Sequence, residues 1–537
     1  MATIKLAHNA VVAKLVDVDE SIENTVSDLL AYMVDGHNMS FAFNQGNWDG
    51  RSSFYEYRTH TFPAGFVHMV YGELTRLGHN VLLIRKPHFE PLGPENPIVD
   101  EFGNEDPRYE FQLKALRQVE KHGRGIIQVA TGGGKSKIAK LIMARYKRMT
   151  LFLTTRGVLL YQMKDQLDAI GLNTGLIGDG ELKVVRGVNL GMVQTLVAAL
   201  AEPDVDAEHR AIVASLHRSK TKNAGLSYDQ IREMATKRFN EKAKKRQQIL
   251  KVLEMIEVVI GEEAHEAGGN SYFEILRHCR NATIRVALTA TPFMRDGAED
   301  NMRLMAAFGP ILIKVSEALL IKRGILAKPY FKFVDAPPPI RAKAADRLFK
   351  SSPWERARKL GYVENENMHA IIVNDAVRAK VVGLPVLTLV TLKDHGEILR
   401  QNFEAAGLRA VFLKGENDQA ERKHWLTELS GGRIDVLLGT SIVDVGVDVP
   451  AIGLVQLAGG GKAEVALRQR IGRALRAKKG VANVAFCAIY SCDFNIKLRE
   501  HAHQRRLIIQ STEGFAEGIL PANQDFDWSI FERKAAA

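Results

Sequence analysis

Ile126-Ile127-Gln128-Val129-Ala130-Thr131-Gly132-Gly133-Gly134-Lys135-Ser136 is an apolar run that stops in three glycines, a lysine and a serine. Such a run reads as a β-strand that ends in a loop with little side-chain bulk, where consecutive backbone N–H groups point at one anion. A helix that opens at Lys135 adds the positive end of its dipole to the same spot. The pattern is a phosphate cradle: Thr131, Gly132, Gly133 and Gly134 surround the phosphates, Lys135 reaches the β and γ phosphates of ATP, and the Ser136 hydroxyl holds Mg²⁺. The common form of this motif has a further glycine where this chain has Val129.

Working outward, strand and helix alternate from Arg108 on, which implies α/β structure with a parallel sheet covered on both faces. A helix is expected over Ile138–Tyr146 and another over Leu159–Ile170, with strands at Thr150–Thr154, Val188–Met192, Val258–Ile260 and Arg285–Leu288. Pro337-Pro338-Pro339 then opens a stretch to about Arg358 that breaks the rhythm and reads as a spacer. A second alternating region follows, with strands expected at Pro385–Val390, Ala410–Leu413, Asp435–Gly439, Gly453–Leu457 and Asn483–Ile489. Only the first region has a phosphate loop, so the second is expected to contribute to the same site from across a cleft. Upstream, residues 1 to about 100 read as a small α+β domain. There Ser53–Arg58 looks like a strand, Gly65–Leu77 like an amphipathic helix, Val81–Ile84 like a buried strand, and Pro87–Pro107 like a linker. Trp48-Asp49-Gly50-Arg51 is a turn that carries an aromatic and a cation, a combination that suits either packing or nucleic-acid contact.

At 537 residues the chain exceeds a single core, and its 46% hydrophobic and 25% charged residues are ordinary for soluble globular protein. No apolar run approaches the roughly 20 residues that cross a bilayer, so a cytoplasmic protein without a membrane partner is expected. Cys279, Cys487 and Cys492 are too far apart for a paired zinc or redox motif and are expected to be reduced and buried. The net charge of +11 points to a polyanionic partner, and it is concentrated: between Glu208 and Lys251 twelve Lys or Arg face four Asp or Glu. This stretch reads as a basic helical insertion between two strands, serving either to grip nucleic acid or as a solvated surface.

Glu257-Val258-Val259-Ile260-Gly261-Glu262-Glu263-Ala264-His265 delivers two adjacent carboxylates to the end of an apolar strand. One acid for Mg²⁺ (Glu262) and one to orient or deprotonate the attacking water (Glu263) is what phosphoanhydride hydrolysis needs. The next strand ends in Leu288-Thr289-Ala290-Thr291-Pro292-Phe293, whose hydroxyls suit a link between nucleotide and nucleic-acid sites. In the second region, Leu467-Arg468-Gln469-Arg470-Ile471-Gly472-Arg473-Ala474-Leu475-Arg476 puts Gln469, Arg473 and Arg476 on one face if it is helical throughout. Cations arriving from a second domain stabilise the charge that spreads over the γ-phosphoryl oxygens.

In this order the motifs resemble those of the superfamily 2 helicases and translocases, over about residues 108–476. The short Thr-Gly-Gly-Gly-Lys-Ser loop, Thr-Ala-Thr-Pro-Phe and the block around Trp48-Asp49-Gly50 look most like phage UvsW-type DNA helicases, with XPB and RecG as more distant relatives. The resemblance implies two RecA-like parallel-sheet domains in tandem: residues 101–315 with the ATP site and the insertion at about 205–251, then 316–510 with the arginine fingers. Residues 1–100 form the accessory, DNA-binding N-terminal domain and 511–537 a tail. It implies that Gln112, in Arg108-Tyr109-Glu110-Phe111-Gln112, reads adenine. Arg156, Thr195 and Thr440 would touch the nucleic-acid backbone, and Gly446 and Asp448 would meet the nucleotide. Arg473 and Arg476 match the arginine fingers and Gln469 the γ-phosphate contact. The implied activity is ATP-driven remodelling of branched DNA in recombination, repair or replication, in the host cytoplasm if the protein is phage-encoded; the oligomeric state is left open, with a monomer favoured. An RNA helicase, a duplex translocase that does not unwind, or an ATP-gated clamp of low turnover fits the same motifs. The chain departs from the family at Glu262, where most members have Asp, and one extra methylene requires the metal geometry to adjust.

Overall fold

The computed structural model describes residues 3–97, 106–178, 180–218, 226–265, 268–293, 297–340, 353–414, 417, 419–440, 452–461, 467, 471–472, 475–478 and 482–532. The chain divides into two compact units, Met1–Gln128 with Lys135–Lys314, and Val129–Gly134 with Val315–Ala537.

The first unit opens with β1 (Ile4–His8), β2 (Val12–Val16), β3 (Ala31–Met33), β4 (Arg51–Ser53), β5 (Thr61–Pro63) and β6 (Val81–Arg85). A sheet in the order β5-β2-β1-β6 buries Ile4, Leu6 and Leu15 against Val26, Phe66, Val70 and Leu74 from the flanking helices. Two expectations are corrected here. The strand foreseen at Ser53–Arg58 stops at Ser53, because Tyr55 turns inward to bond Glu23 (2.6 Å) while Tyr57 bonds Asn24 (2.9 Å). The stretch Val81–Ile84 is a strand but not a buried one: it pairs only with β1 at the sheet edge, with Leu82, Leu83 and Ile84 exposed. The turn Ala64–Phe66 after β5 packs on the helix Ala298–Phe308 so closely that a Cβ on Gly65 would lie 2.1 Å from the Met305 carbonyl oxygen. The described part of the expected linker is also held. Gly93 exchanges hydrogen bonds with Arg145, and Arg148 donates to the Glu90 carbonyl (2.9 Å).

The main sheet of this unit comprises β7 (Arg124–Val129), β8 (Thr150–Thr154), β9 (Thr174–Gly178), β10 (Glu181–Lys183), β11 (Val188–Met192), β12 (Val258–Glu262), β13 (Ile284–Thr289) and β14 (Ile311–Val315). Their order is β10-β9-β11-β8-β12-β13-β7-β14, with β9, β11, β8, β12, β13 and β7 mutually parallel. The central strands β8 and β12 are buried along their length, which is why they read as unbroken apolar runs. In register, Met192 lies beside Thr154, Glu262 beside Leu288, and Thr289 beside Gln128, so their following loops share one sheet edge. Between β11 and β12 the basic stretch forms two helices, Val205–Arg218 and Tyr228–Met255, and Ile249, Val252 and Leu253 anchor the second in the core.

The second unit holds β15 (Lys328–Asp335), β16 (Val386–Leu389), β17 (Ala410–Leu413), β18 (Val436–Gly439), β19 (Leu454–Leu457) and β20 (Val484–Ser491), all parallel in the order β15-β20-β19-β16-β18-β17. The C-terminal segment, without a signal in the sequence, is part of this core. Phe526 stacks on Phe486 at 4.5 Å, and Asp525 accepts from Lys332 and Arg378. Burial raises the Asp525 carboxyl, but the bonds from Lys332 and Arg378 outweigh it and hold the group down at about 2. The three cysteines are free and buried, with burial pushing the Cys279 and Cys487 thiols up to about 12 and Cys492 to about 11.

Candidate active site

The loop after β7 takes the shape its glycines allow. Gly132 and Gly134 have φ of 91° and 80°, in the left-handed region that side chains resist, and the Gly133 N–H donates to the Ala130 carbonyl at 3.0 Å. At Gly133 the reason is space: a Cβ would meet Val129 Cγ1 at 2.4 Å. Val129, standing where a glycine is usual, points its buried side chain beneath the loop rather than into it. Within the second unit the same loop lies beside the late motif, since a Cβ on Gly472 would come 3.0 Å from Thr131 Cβ.

The helix Lys135–Tyr146 starts directly after the loop and aims its first turn at the end of β12. Lys135 Nζ lies 3.2 Å from Glu263 Oε1, with both side chains about nine-tenths buried. The Ser136 hydroxyl donates to Glu262 Oε1 at 3.3 Å. Glu262 is the last residue of β12 and its carbonyl accepts from Tyr272 (3.0 Å), while Glu263 has left the strand with φ of 45°. A left-handed glutamate stores about 1–3 kcal/mol of strain, which its surroundings must offset. The ion pair to Lys135 is one such restraint. Gly261 lets the strand pass between two core rings, because a Cβ there would lie 2.9 Å from Phe308 Cζ and 3.0 Å from Tyr272 Cε1.

Ser136 Oγ and a Glu262 carboxylate oxygen converge at hydrogen-bond distance, a donor pair that suits Mg²⁺, which takes few protein oxygens and completes its shell with water and phosphate. Among the described residues no group of three His, Cys, Asp or Glu is arranged for a metal. The longer Glu262 side chain therefore reaches the serine directly.

Sequence reading assigned no role to His265, and to the hydroxyls of Thr289 and Thr291 only a general one as a link between sites. His265 Nδ1 lies 2.7 Å from Thr289 Oγ1 and 3.6 Å from Glu263 Oε2, and Thr289 Oγ1 also accepts from the Thr291 N–H at 3.2 Å. The end of β12 is thus tied to the turn after β13. The available signal was spacing alone: a histidine two residues beyond an acid, and a hydroxyl at the end of the next strand.

The remaining expected residues fall as follows. Gln112 is buried in the first turn of the helix Glu110–His122. Arg156 and Thr195 are half-buried in the neighbouring segments after β8 and β11, which Gln194 ties together by donating to the Thr155 carbonyl (3.1 Å). Thr440 follows β18, also half-buried. Gly446, Asp448, Gln469 and Arg473 lie outside the described residues. Arg476 corrects the expected shared helical face: it is past the helical turn that closes at Leu475, exposed, and bridged in extended form to Leu326. Trp48 locks its own turn, its indole N–H donating to the Arg51 carbonyl (2.7 Å).

Residues 106–294 match the family model described as Type III restriction enzyme, res subunit, and residues 370–478 the helicase conserved C-terminal domain. The protein named "Putative helicase 22" of Sulfolobus islandicus filamentous virus is 28% identical over 267 residues, 47% of this chain, and the chain spans 46% of that relative's length. The ATP-dependent DNA helicase uvsW of Enterobacteria phage T4 is 20% identical over 494 residues, covering 88% of this chain and 87% of that protein. The crystal structure of T4 UvsW aligns with 97% of this chain and 99% of its own at 18% identity and a TM-score of 0.42.

Proposed function

Because the chain belongs to the superfamily 2 helicases, we propose that it is an ATP-driven DNA motor that remodels branched molecules such as forks and Holliday junctions. One observation carries the ATPase half of this reading. The lysine and serine of the phosphate loop each reach a different carboxylate at the end of β12, one strand beyond β13 in the sheet, Lys135 to Glu263 and Ser136 to Glu262.

The division of labour follows from that geometry. Thr131 to Gly134 offer backbone N–H groups to the phosphates, and Gln112 reads adenine. Lys135 exchanges its carboxylate partner for the β and γ phosphates, which releases Glu263 to orient or deprotonate the attacking water. Ser136 and Glu262 would hold Mg²⁺, which when bound would supply positive charge to the phosphate oxygens. Gln469, Arg473 and Arg476 complete the γ-phosphate surroundings, with Gly446 and Asp448 against the nucleotide. The link from Glu263 through His265 to Thr289 ties the site to the turn after β13, while Arg156 and Thr195, after β8 and β11 on the other side of β12, are the first unit's backbone contacts and Thr440 is the second unit's. Such contacts hold the backbone, so recognition depends on DNA shape and salt rather than base order. The branched substrate rests on likeness to the phage helicase along most of both chains. No described helix is long and apolar enough to cross a membrane; the proposed setting is the host cytoplasm, with the chain working as a monomer.

The test is product formation with ATP on a panel of forks, Holliday junctions, flaps, linear duplex and RNA duplex. Branched DNA is expected to be processed more than about tenfold faster than RNA, a difference of about 1.4 kcal/mol in barrier. Equal rates on RNA, or ATP use without strand movement on any substrate, would replace this reading by the RNA-helicase or duplex-translocase alternative.

A further inference from the structure

We propose that the outer face of the helix Tyr228–Met255 is a separate binding surface for the phosphate backbone of duplex DNA. The proposal rests on the chain being a DNA motor and adds a contact outside the motor motifs.

The hairpin sorts its charges. On the side toward the helix Val205–Arg218, Arg232 pairs with Asp206, Lys242 with Glu208, and Arg246 with Glu202 (3.3 Å) and the Leu200 carbonyl (2.9 Å). Lys237, Arg238, Lys244, Lys245 and Lys251 are exposed and make no ion pair among the described residues. Seven residues bring a helix back to within about 20° of the same direction, so Lys237, Lys244 and Lys251 form one row and Arg238 and Lys245 a second beside it. At about 1.5 Å per residue the first row is about 21 Å long.

The helix that bears the rows is stiff. A Ser227/Gln230 capping box closes its start and core packing of Ile249, Val252 and Leu253 fixes its end. A surface that serves only solubility mixes both signs, whereas between Lys237 and Lys251 this face has Glu241 as its one acid. A protein partner would need an apolar or aromatic anchor, and lysine is depleted at such interfaces. Two exposed methionines, Met234 and Met255, flank the rows one turn beyond Lys237 and Lys251, while between those lysines none of the exposed large apolar side chains occurs among the described residues. An extended face whose centre, about 21 Å long, carries cations and no aromatic or apolar anchor suits a polyanion of regular charge spacing. The helix passes into β12 through Ile256 and Glu257, so the surface is joined to the strand that ends in Glu262.

The test is the salt dependence of duplex affinity, read by fluorescence anisotropy of a labelled duplex with the full chain. Removing one cation from a phosphate lowers the magnitude of the log–log slope by about 0.9. With Lys237→Gln, Arg238→Gln, Lys244→Gln, Lys245→Gln and Lys251→Gln combined, a fall of about 2.7 or more is expected, with unchanged helix content by circular dichroism. If that variant does not fold, the pair Lys237→Gln and Lys244→Gln is expected to give about 1.8. A comparison variant with five exposed lysines changed elsewhere, Lys322, Lys328, Lys359, Lys423 and Lys497 to Gln, is expected to keep the original slope. A smaller fall in the hairpin variant, or an equal fall in the comparison, overturns the proposal. If the unaltered chain hydrolyses ATP on DNA yet the hairpin variant keeps its slope, the surface alone is refuted. If the unaltered chain does not bind DNA, the motor reading fails with it.

Discussion

Glu263→Gln is expected to stop ATP turnover, lowering DNA-stimulated phosphate release by about 10²- to 10⁴-fold, the range for loss of a general base. The amide has the same size and keeps an oxygen for Lys135, but it neither accepts a proton nor carries the charge that aligns water. Nucleotide binding moves the other way. Lys135 Nζ sits 3.2 Å from the carboxylate in a site about nine-tenths buried, and ATP has to compete with that ion pair. Neutralising Glu263 removes the competitor, so a fluorescent ATP analogue is expected to bind at least as tightly as before. Lost turnover with retained binding identifies Glu263 as the group that acts on water. A hydrolysis rate unchanged by the substitution removes it from the mechanism.

Lys135→Ala acts on both sides of the same pair. Removing the cation that neutralises phosphate charge is expected to lower hydrolysis by about 10²- to 10³-fold and to weaken ATP binding as well. It also leaves Glu263, with 9% of its side chain exposed, without its ion-pair partner in the loop helix. Breaking one side of a buried pair costs roughly 3–5 kcal/mol, so the variant is expected to melt earlier than the parent; Glu263→Gln leaves the buried Lys135 ammonium without its counter-charge and is expected to melt earlier too, by less, because its amide oxygen still accepts from Lys135. Thermal unfolding without nucleotide checks both. Melting of both variants at the parent's temperature would mean that the Lys135–Glu263 pair contributes little to the resting site.

What could be read from residues alone follows the physics of each segment. The stretch from Ile126 to Ser136 was legible because a buried central strand must be apolar and a loop closing on phosphate must shed its side chains. Glu262 and Glu263 were legible for the same reason, as two acids at the end of a run with no other polar group. Their partners were not: nothing local says that Lys135 meets Glu263, or that His265 meets Thr289, because those contacts are made by segments far apart in the sequence that the sheet brings together. Edge elements were the least legible. β6 looked buried because Val81-Leu82-Leu83-Ile84 is apolar, yet one side of it lacks a partner strand. β9 hid behind Gly175 and Gly178, and the C-terminal segment behind the absence of any period. Arg476 was misplaced by extending a helical spacing beyond the turn that ends it. The charge of the insertion was visible as a total, but its division into a paired inner face and an exposed outer face required the second helix.

Steady-state ATP hydrolysis by the unaltered chain, measured with Mg²⁺ in the presence and absence of forked DNA, decides whether this protein is a motor. Slow hydrolysis alone and a clear rise when the fork is added are the predicted result. A rate that is the same with and without DNA, or no turnover in either case, would contradict a motor and leave at most a nucleotide-gated clamp.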